Sequence, residues 1–211
     1  MIEEPTEILR GLSVSRETLD GLKQLEGLVR RWTPAINLVS RSTIPLLWER
    51  HILDSVQLFA LAPPEANHWV DLGSGGGFPG LAIAVLAKQA RPDLEVTLVD
   101  SDLRKLTFLR EAVRMLGLSS RVIGGRIESV PPQGADVLSA RALADLPNLL
   151  VFAKRHLREG GLALFPKGAR YEEELARARK GWIFDVSVLP SVTDGSAAIL
   201  KIGKIRSASQ E

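Results

Sequence analysis

The segment Val70-Asp71-Leu72-Gly73-Ser74-Gly75-Gly76-Gly77-Phe78-Pro79-Gly80 runs from strand-forming residues into five glycines within eight positions. A chain without Cβ atoms can turn sharply there and lie close against a flat ligand. Gly75-x-Gly77-x-x-Gly80 satisfies the dinucleotide fingerprint. The next strand-like run, Val96-Thr97-Leu98-Val99-Asp100, ends on a carboxylate 23 residues after Gly77. An acid at that position can accept both hydroxyls of an adenosine ribose. The spacing therefore predicts a nucleotide-type cofactor at the top of a parallel sheet.

The glycines alone leave a nicotinamide or flavin open. Two neighbours favour S-adenosylmethionine. Asp71 stands in the turn just before the glycines, where a carboxylate would face a pyrophosphate and repel it. It suits a ligand with a sulfonium and an ammonium group. Phe78 and Pro79 crowd the helix start, where a pyrophosphate needs bare amides. Asp71, Gly73, Gly75 and Gly77 thus form an acid-plus-glycine loop for a methionine-derived cofactor. Asp100 has a rival role as a helix cap, but Ser101 or Asp102 can cap instead.

Further candidates follow later strands. Arg126-Ile127-Glu128 comes after the third, at the end of the sheet that faces an adenine; Ile127 offers apolar contact, and Glu128 can instead be a first-turn acid. Arg141 comes after the fourth strand, where a guanidinium can grip a carboxylate or phosphate bidentately. Lys167 follows the fifth and points to the same rim. His51, between Arg50 and apolar residues, reads as a half-buried packing histidine, and Trp32 and Trp48 as core.

These residues need a particular scaffold. Before Trp69 the pattern is helical. Ser15 can cap a helix carrying Leu19, Leu22, Leu25, Leu28, Val29 and Trp32, ended by Pro34. A second helix starts near Thr43 to Pro45 and stops at Pro63-Pro64. Strands are predicted at 68–72, 95–100, 120–125, 135–140 and 160–166, alternating with helices at 79–89, 102–116, 146–158 and 171–180, which means a parallel sheet covered on both faces. Trp182–Leu189 and Ala197–Ile205 are two further strands with no room between them for a crossover helix, so they pair antiparallel. The expected chain is a helical extension over 1–66 and one α/β methyltransferase-type unit over 67–206, a Rossmann-like seven-stranded sheet ending in an antiparallel hairpin. The tail from Arg206 to Glu211 is expected to fray.

Composition narrows the function. The 211 residues contain no cysteine and three histidines far apart, which argues against disulfides and against zinc, and fits a reducing cytoplasm. No apolar run is long enough to span a membrane, and Met1-Ile2-Glu3-Glu4-Pro5 does not begin a signal peptide. The net charge of +2 announces no polyanion. Its distribution says more: residues 101–126 carry six basic groups against Asp102 and Glu111, and residues 154–180 carry eight against four. Two such clusters beside one cofactor site point to a phosphate-bearing substrate.

Taken together, these residues resemble the RsmG family, also called glucose-inhibited division protein B. The resemblance runs from Trp32 to Ile205. It rests on Asn37-Leu38, Arg50-His51-Ile52-Leu53-Asp54-Ser55, Asp71–Gly80, Leu98-Val99-Asp100-Ser101, Lys105 with Phe108-Leu109, Arg126-Ile127-Glu128, Arg141-Ala142 and Lys167-Gly168. It implies a class I methyltransferase fold and methyl transfer from S-adenosylmethionine to N7 of a guanine in 16S ribosomal RNA. The partner is then that RNA or the assembling small subunit. Apart from the resemblance, the chain is expected to be cytoplasmic, monomeric and free of metal. By the same resemblance Gly73, Phe78, Ile127, Glu128 and Arg141 hold the cofactor, while Arg141 and Lys167 position reactants without exchanging protons. Ala140 stands where some members have serine. Without the resemblance, a methyltransferase for a small molecule or protein, or a non-catalytic nucleotide- or RNA-binding module, fits the same motifs.

Overall fold

A computed structural model describes residues 14–208. Seven strands form one sheet: β1 (His68–Leu72), β2 (Glu95–Asp100), β3 (Arg121–Gly124), β4 (Ala135–Ala140), β5 (Leu157–Lys167), β6 (Trp182–Pro190) and β7 (Ala198–Ser207). Their order is β3-β2-β1-β4-β5-β7-β6. The first five are parallel, and β7 runs antiparallel between β5 and β6. From β1 the chain winds outward through β2 and β3, then returns to β4 on the other side. Such a reversal opens a crevice beyond the carboxyl ends of β1 and β4.

The helices are α1 (Arg16–Ile36), the single turn α2 (Asp54–Val56), α3 (Gly80–Ala90), α4 (Leu103–Met115), α5 (Leu146–His156) and α6 (Tyr171–Ala178). Alternation along the strands sorts the core into two layers. Trp69, Val96 and Leu98 pack with α1, α3 and α4, while Val70, Leu72 and Val99 pack with α5. The helix α1 is capped by Ser15, whose Oγ accepts the Thr18 N–H at 3.1 Å, and it buries Leu22, Leu25, Leu28 and Val29. Its Trp32 meets Phe108 of α4 edge-on with ring centroids 5.8 Å apart. No helix among the described residues is long and apolar enough to cross a membrane.

Four local differences from the sequence expectation have physical causes. Pro34 does not end α1, which runs on to Ile36 and stops at Asn37 in a left-handed conformation (φ 49). Proline in the last turn costs the helix only one terminal hydrogen bond. The expected second helix is irregular: a 3-10 turn at Arg41–Thr43, a π-helical turn at Trp48–Leu53, and α2. The strand β5 begins three residues earlier than predicted, because Ala135 pairs with Leu157 and Val137 with Leu162, so residues 158–161 bulge out. At the other terminus, β7 holds Arg206 and Ser207 against Ile183 and Trp182, so fraying does not start there. Ser209, Gln210 and Glu211 lie outside the described residues.

Candidate functional site

The glycine loop is fastened from below. The Ser74 N–H donates to the Val99 carbonyl at 3.0 Å and the Gly75 N–H to Asp100 Oδ2 at 2.7 Å. Gly73, Gly75 and Gly77 have φ of 65, 52 and 88, in the left-handed region. Asp100 Oδ1 accepts the Asp102 N–H at 2.9 Å, and Asp102 itself caps α4 by accepting from the Arg104 and Lys105 amides. Asp100 is therefore not the helix cap. Each of its oxygens keeps acceptor capacity beyond the backbone bond it makes. It lines a cavity of about 650 Å³ together with Gly73, Ile127, Glu128, Leu143 and Phe152. Ile127 is buried and Glu128 exposed, in a loose pair with Arg126 at 3.7 Å.

Asp71 does not face the ligand space. It is wholly buried, with Oδ1 accepting the Ser139 hydroxyl at 2.7 Å and Oδ2 accepting the Gly80 N–H at 3.2 Å. Ser139 in turn accepts the Trp69 indole N–H at 2.9 Å. Burial pushes the Asp71 carboxyl up to about 6. Direct contact with a cationic ligand thus gives way to a structural role: the carboxylate ties the start of α3 to β1 and β4. The same bond occupies an N–H at the start of α3 that a pyrophosphate would need. Asp71 still argues against a dinucleotide, by a different route from charge repulsion.

Phe78 packs its ring against His51, with centroids 5.2 Å apart, and the Arg141 guanidinium lies 5.5 Å from the centroid of the Phe78 ring. Arg141 is not an open clamp for an anion. Its Nη1 donates to the Arg50 carbonyl at 3.0 Å and to Asp54 Oδ2 at 3.2 Å, and its Nη2 donates to His51 Nδ1 at 2.7 Å. The side chain is 18% exposed. Since arginine cannot accept, His51 Nδ1 carries no proton, and Nε2–H points at Thr43 Oγ1, 3.0 Å away. Burial first, and Arg141 second, hold the His51 imidazole down at about 3, so it is neutral.

Lys167 is likewise committed. Its Nζ donates to the Ala144 carbonyl at 2.9 Å and pairs with Glu174 at 2.8 Å, leaving the side chain 9% exposed. Glu174 also accepts the Leu146 N–H at 2.8 Å. Lys167 braces the loop that leaves β4 and does not reach outward as a free cation. The loop needs bracing, because Ala142 holds a left-handed φ of 52, strained for a residue with a Cβ.

Ala142 borders three adjoining hollows. One is the 650 Å³ cavity. A second, of about 410 Å³, is lined by Leu38, His51, Gly73–Gly76, Phe78, Lys105 and Arg141. The third, of about 490 Å³, lies beyond Arg141 among Asp54, Pro166, Lys167, Thr193 and Asp194. Sequence reasoning missed the part of the extension here. Gln57 Oε1 accepts the Val192 N–H at 3.1 Å, Asp54 Oδ1 accepts the Thr193 hydroxyl at 3.0 Å, and Arg50 pairs with Asp194 at 2.8 Å. Arg50, Asp54 and Gln57 recur at i, i+4 and i+7, a polar stripe that was the available signal. His156 was also missed: buried at the end of α5, its Nε2 lies 3.0 Å from the Ile127 carbonyl.

Comparison with known proteins agrees with this geometry. A family model described as rRNA small subunit methyltransferase G matches residues 18–201. The chain is 55% identical over 191 residues to the ribosomal RNA small subunit methyltransferase G of Ruegeria sp. strain TM1040, covering 90% of this chain and 93% of that one. The protein of the same name from Cereibacter sphaeroides strain ATCC 17025 is 50% identical over 202 residues, 96% of this chain and 97% of its own. Among solved structures, an O-methyltransferase from Bacillus cereus in complex with SAH superposes with a TM-score of 0.56 at 15% identity, covering 93% and 95% of the two chains. A putative O-methyltransferase from Klebsiella pneumoniae gives 0.58 at 16%, covering 92% and 93%. At such identities these two establish the fold alone: a class I, Rossmann-like methyltransferase fold.

Proposed function

The chain belongs to the rRNA small subunit methyltransferase G family, and from that premise we propose how its site holds the two reactants. It is an S-adenosylmethionine-dependent methyltransferase of small-subunit ribosomal RNA, and the family resemblance directs the methyl group to N7 of a guanine. The adenosine half of the cofactor fits the 650 Å³ cavity, with Asp100 on the ribose and Ile127 against the adenine. The methionine half fits the 410 Å³ hollow over Gly73–Gly76 and Phe78. The single observation that carries this reading is Asp100. It closes the glycine loop with one oxygen, does not cap α4, and keeps acceptor capacity inside the 650 Å³ cavity.

Bound there, the cofactor supplies an electrophilic sulfonium methyl, which the N7 lone pair of guanine takes without any proton leaving the base. A site for that reaction needs no general base. This one offers alignment: a loop fixed by Asp71 and Asp100, and a ridge at Ala142 fixed by Arg141 and Lys167. His51, held neutral by burial and committed to Arg141, is not placed to remove a proton. The base enters through the 490 Å³ hollow beyond Arg141, next to the cofactor space. N7 lies on the Hoogsteen edge, within reach once a nucleotide is splayed from its strand. A substrate in the small subunit sets the work in the cytoplasm.

The test is incubation of the protein with labelled methyl donor and, separately, purified small subunits and free 16S RNA, followed by mapping of the label. Label on guanine N7 at one position is expected. Label on another atom, or on protein alone, would overturn the N7 reading.

A further inference from the structure

We infer that His51 is a positioning residue for methyl transfer, acting through Arg141 on the backbone at Ala142. The inference rests on the methyltransferase reading of the site, but on no particular acceptor atom.

Arg141 follows β4 directly and precedes the strained Ala142, whose φ of 52 needs an external hold. All of the partners found for the guanidinium lie on the extension or on the glycine loop. The Arg50 carbonyl and Asp54 take Nη1, His51 Nδ1 takes Nη2, and the Phe78 ring lies near the guanidinium. Arg50 and Asp54 grip one nitrogen only. With that contact alone the guanidinium can still swing in its plane. The 2.7 Å bond to His51 fixes the second nitrogen and with it the orientation of the fork.

His51 is in turn held by three contacts: Nε2 against Thr43, its ring against Phe78, and the Ser55 hydroxyl donating to its carbonyl at 2.6 Å. A protonated imidazole, or the tautomer with its proton on Nδ1, would set an N–H against an N–H of Arg141. The charged groups facing it are cations, Arg141 and Arg50, which oppose that protonation. The ring is thus a fixed acceptor between the cofactor loop, through Phe78, and the acceptor side, through Arg141. Movement there shifts Ala142, which borders both the cofactor cavity and the hollow beyond it.

Two substitutions separate this role from packing. In His51→Asn the side-chain oxygen stands where Nδ1 was, keeping the acceptor for Arg141 and losing Thr43. In His51→Gln the polar group stands near Nε2, keeping Thr43 and bulk while losing the acceptor. Single-turnover transfer of labelled methyl into the RNA of small subunits is measured at saturating S-adenosylmethionine for the parent and both variants. Cofactor affinity by calorimetry and the thermal midpoint are taken in parallel. Expected is an Asn variant within about threefold of the parent and a Gln variant slower by roughly tenfold or more, at matched thermal midpoints, as a misplaced reacting geometry would give. In an Arg141→Ala background the Gln substitution should cost nothing further. Equal rates for Asn and Gln, a Gln variant faster than Asn, or an undiminished loss in the Arg141→Ala background would overturn the inference. Because label is counted wherever it lands on the RNA, an error in the N7 assignment leaves the comparison intact. A parent that transfers no methyl to RNA would instead sink the methyltransferase reading.

Discussion

Asp100 and Asp71 show how one side-chain type divides its work by burial. Asp100 keeps access to a cavity while holding the loop, so Asp100→Ala should weaken S-adenosylmethionine and S-adenosylhomocysteine alike, since both carry the ribose. Each lost hydrogen bond to a charged group costs about 1.5–3 kcal/mol, or roughly tenfold or more in affinity, read by calorimetry. Equal affinities in variant and parent would leave Asp100 as a loop tie only. Asp71 and His51 titrate in opposite senses. Burial holds Asp71 at about 6, above its ordinary value, so between pH 4 and 6 the folded state binds more protons and stability falls as pH rises. His51 is held at about 3, so the unfolded state binds more protons and stability falls as pH drops below its ordinary value near 6.5. The two slopes offset each other in the parent. His51→Asn removes one, so acidification from pH 6.5 to 4.5 should favour the variant over the parent. The half-buried ring keeps the gain below the roughly 1.4 kcal/mol per pH unit of a fully buried group. Urea unfolding of both proteins at the two pH values measures it. The carboxylates at strand ends were legible in the sequence, because strand periodicity places them. The direction Asp71 points was not, since it depends on Ser139 arriving from β4.

At the scale of elements, the extension and the glycine loop form one joint. A Cβ added to Gly76 would lie 2.8 Å from the Leu38 carbonyl, a backbone atom that cannot turn aside, whereas one on Gly75 would have 3.6 Å to its nearest neighbour. Gly75 is glycine for its φ, and Gly76 for the close approach of the extension. Gly75→Ala should therefore cost about 1–2 kcal/mol of backbone strain. Gly76→Ala should cost about 1–3 kcal/mol of overpacking and also part the chain at Leu38 from the loop. Limited proteolysis is the discriminating measurement. Cleavage between Asn37 and Arg50 should speed up in Gly76→Ala and stay at the parental rate in Gly75→Ala. Equal rates would mean the joint is not held there. The alternation of strands and helices from residue 68 onward was readable, and the antiparallel β6–β7 pair followed from the short link between them. The joint was not. A stretch such as Arg50-His51-Ile52-Leu53-Asp54-Ser55 reads as an amphipathic turn, and its polar side chains find partners only when β4 and the 191–194 link are brought beside it. The burial of Lys167 was illegible for the same reason: its partner Glu174 is close in sequence, but the sequence does not show that the pair is buried beneath the loop after β4.

Over the whole molecule, net charge matters less than which cations are already engaged. The basic run over 101–126 looked nearly unopposed, but the folded chain supplies acids from outside it. Arg121 pairs with Glu95 at 2.5 Å and Arg126 with Glu128 at 3.7 Å, while Arg114 pairs with Glu111 at 2.7 Å. Among the described residues Lys105 and Arg110 form no such pair, and Lys105 borders both the 650 and the 410 Å³ hollows. A phosphate approaching a paired arginine must compete with a carboxylate, and losing that arginine also frees an acid that repels RNA. A phosphate approaching Lys105 only displaces condensed counterions, which is the source of salt-dependent affinity. Binding of small-subunit RNA measured across a salt series should therefore separate the two kinds of cation. Lys105→Ala and Arg110→Ala should each flatten the slope of log affinity against log salt by somewhat under one, about 0.7–0.9 for a full phosphate contact. Arg121→Ala, at the far end of β3 from the crevice, should leave the slope unchanged. Lys105→Ala should also slow methyl transfer more than Arg110→Ala, because it alone of the two lines the 650 and 410 Å³ hollows. Parental slopes in both variants would place the RNA on another face of the molecule. A flattened slope in Arg121→Ala would show that the RNA wraps past the sheet edge.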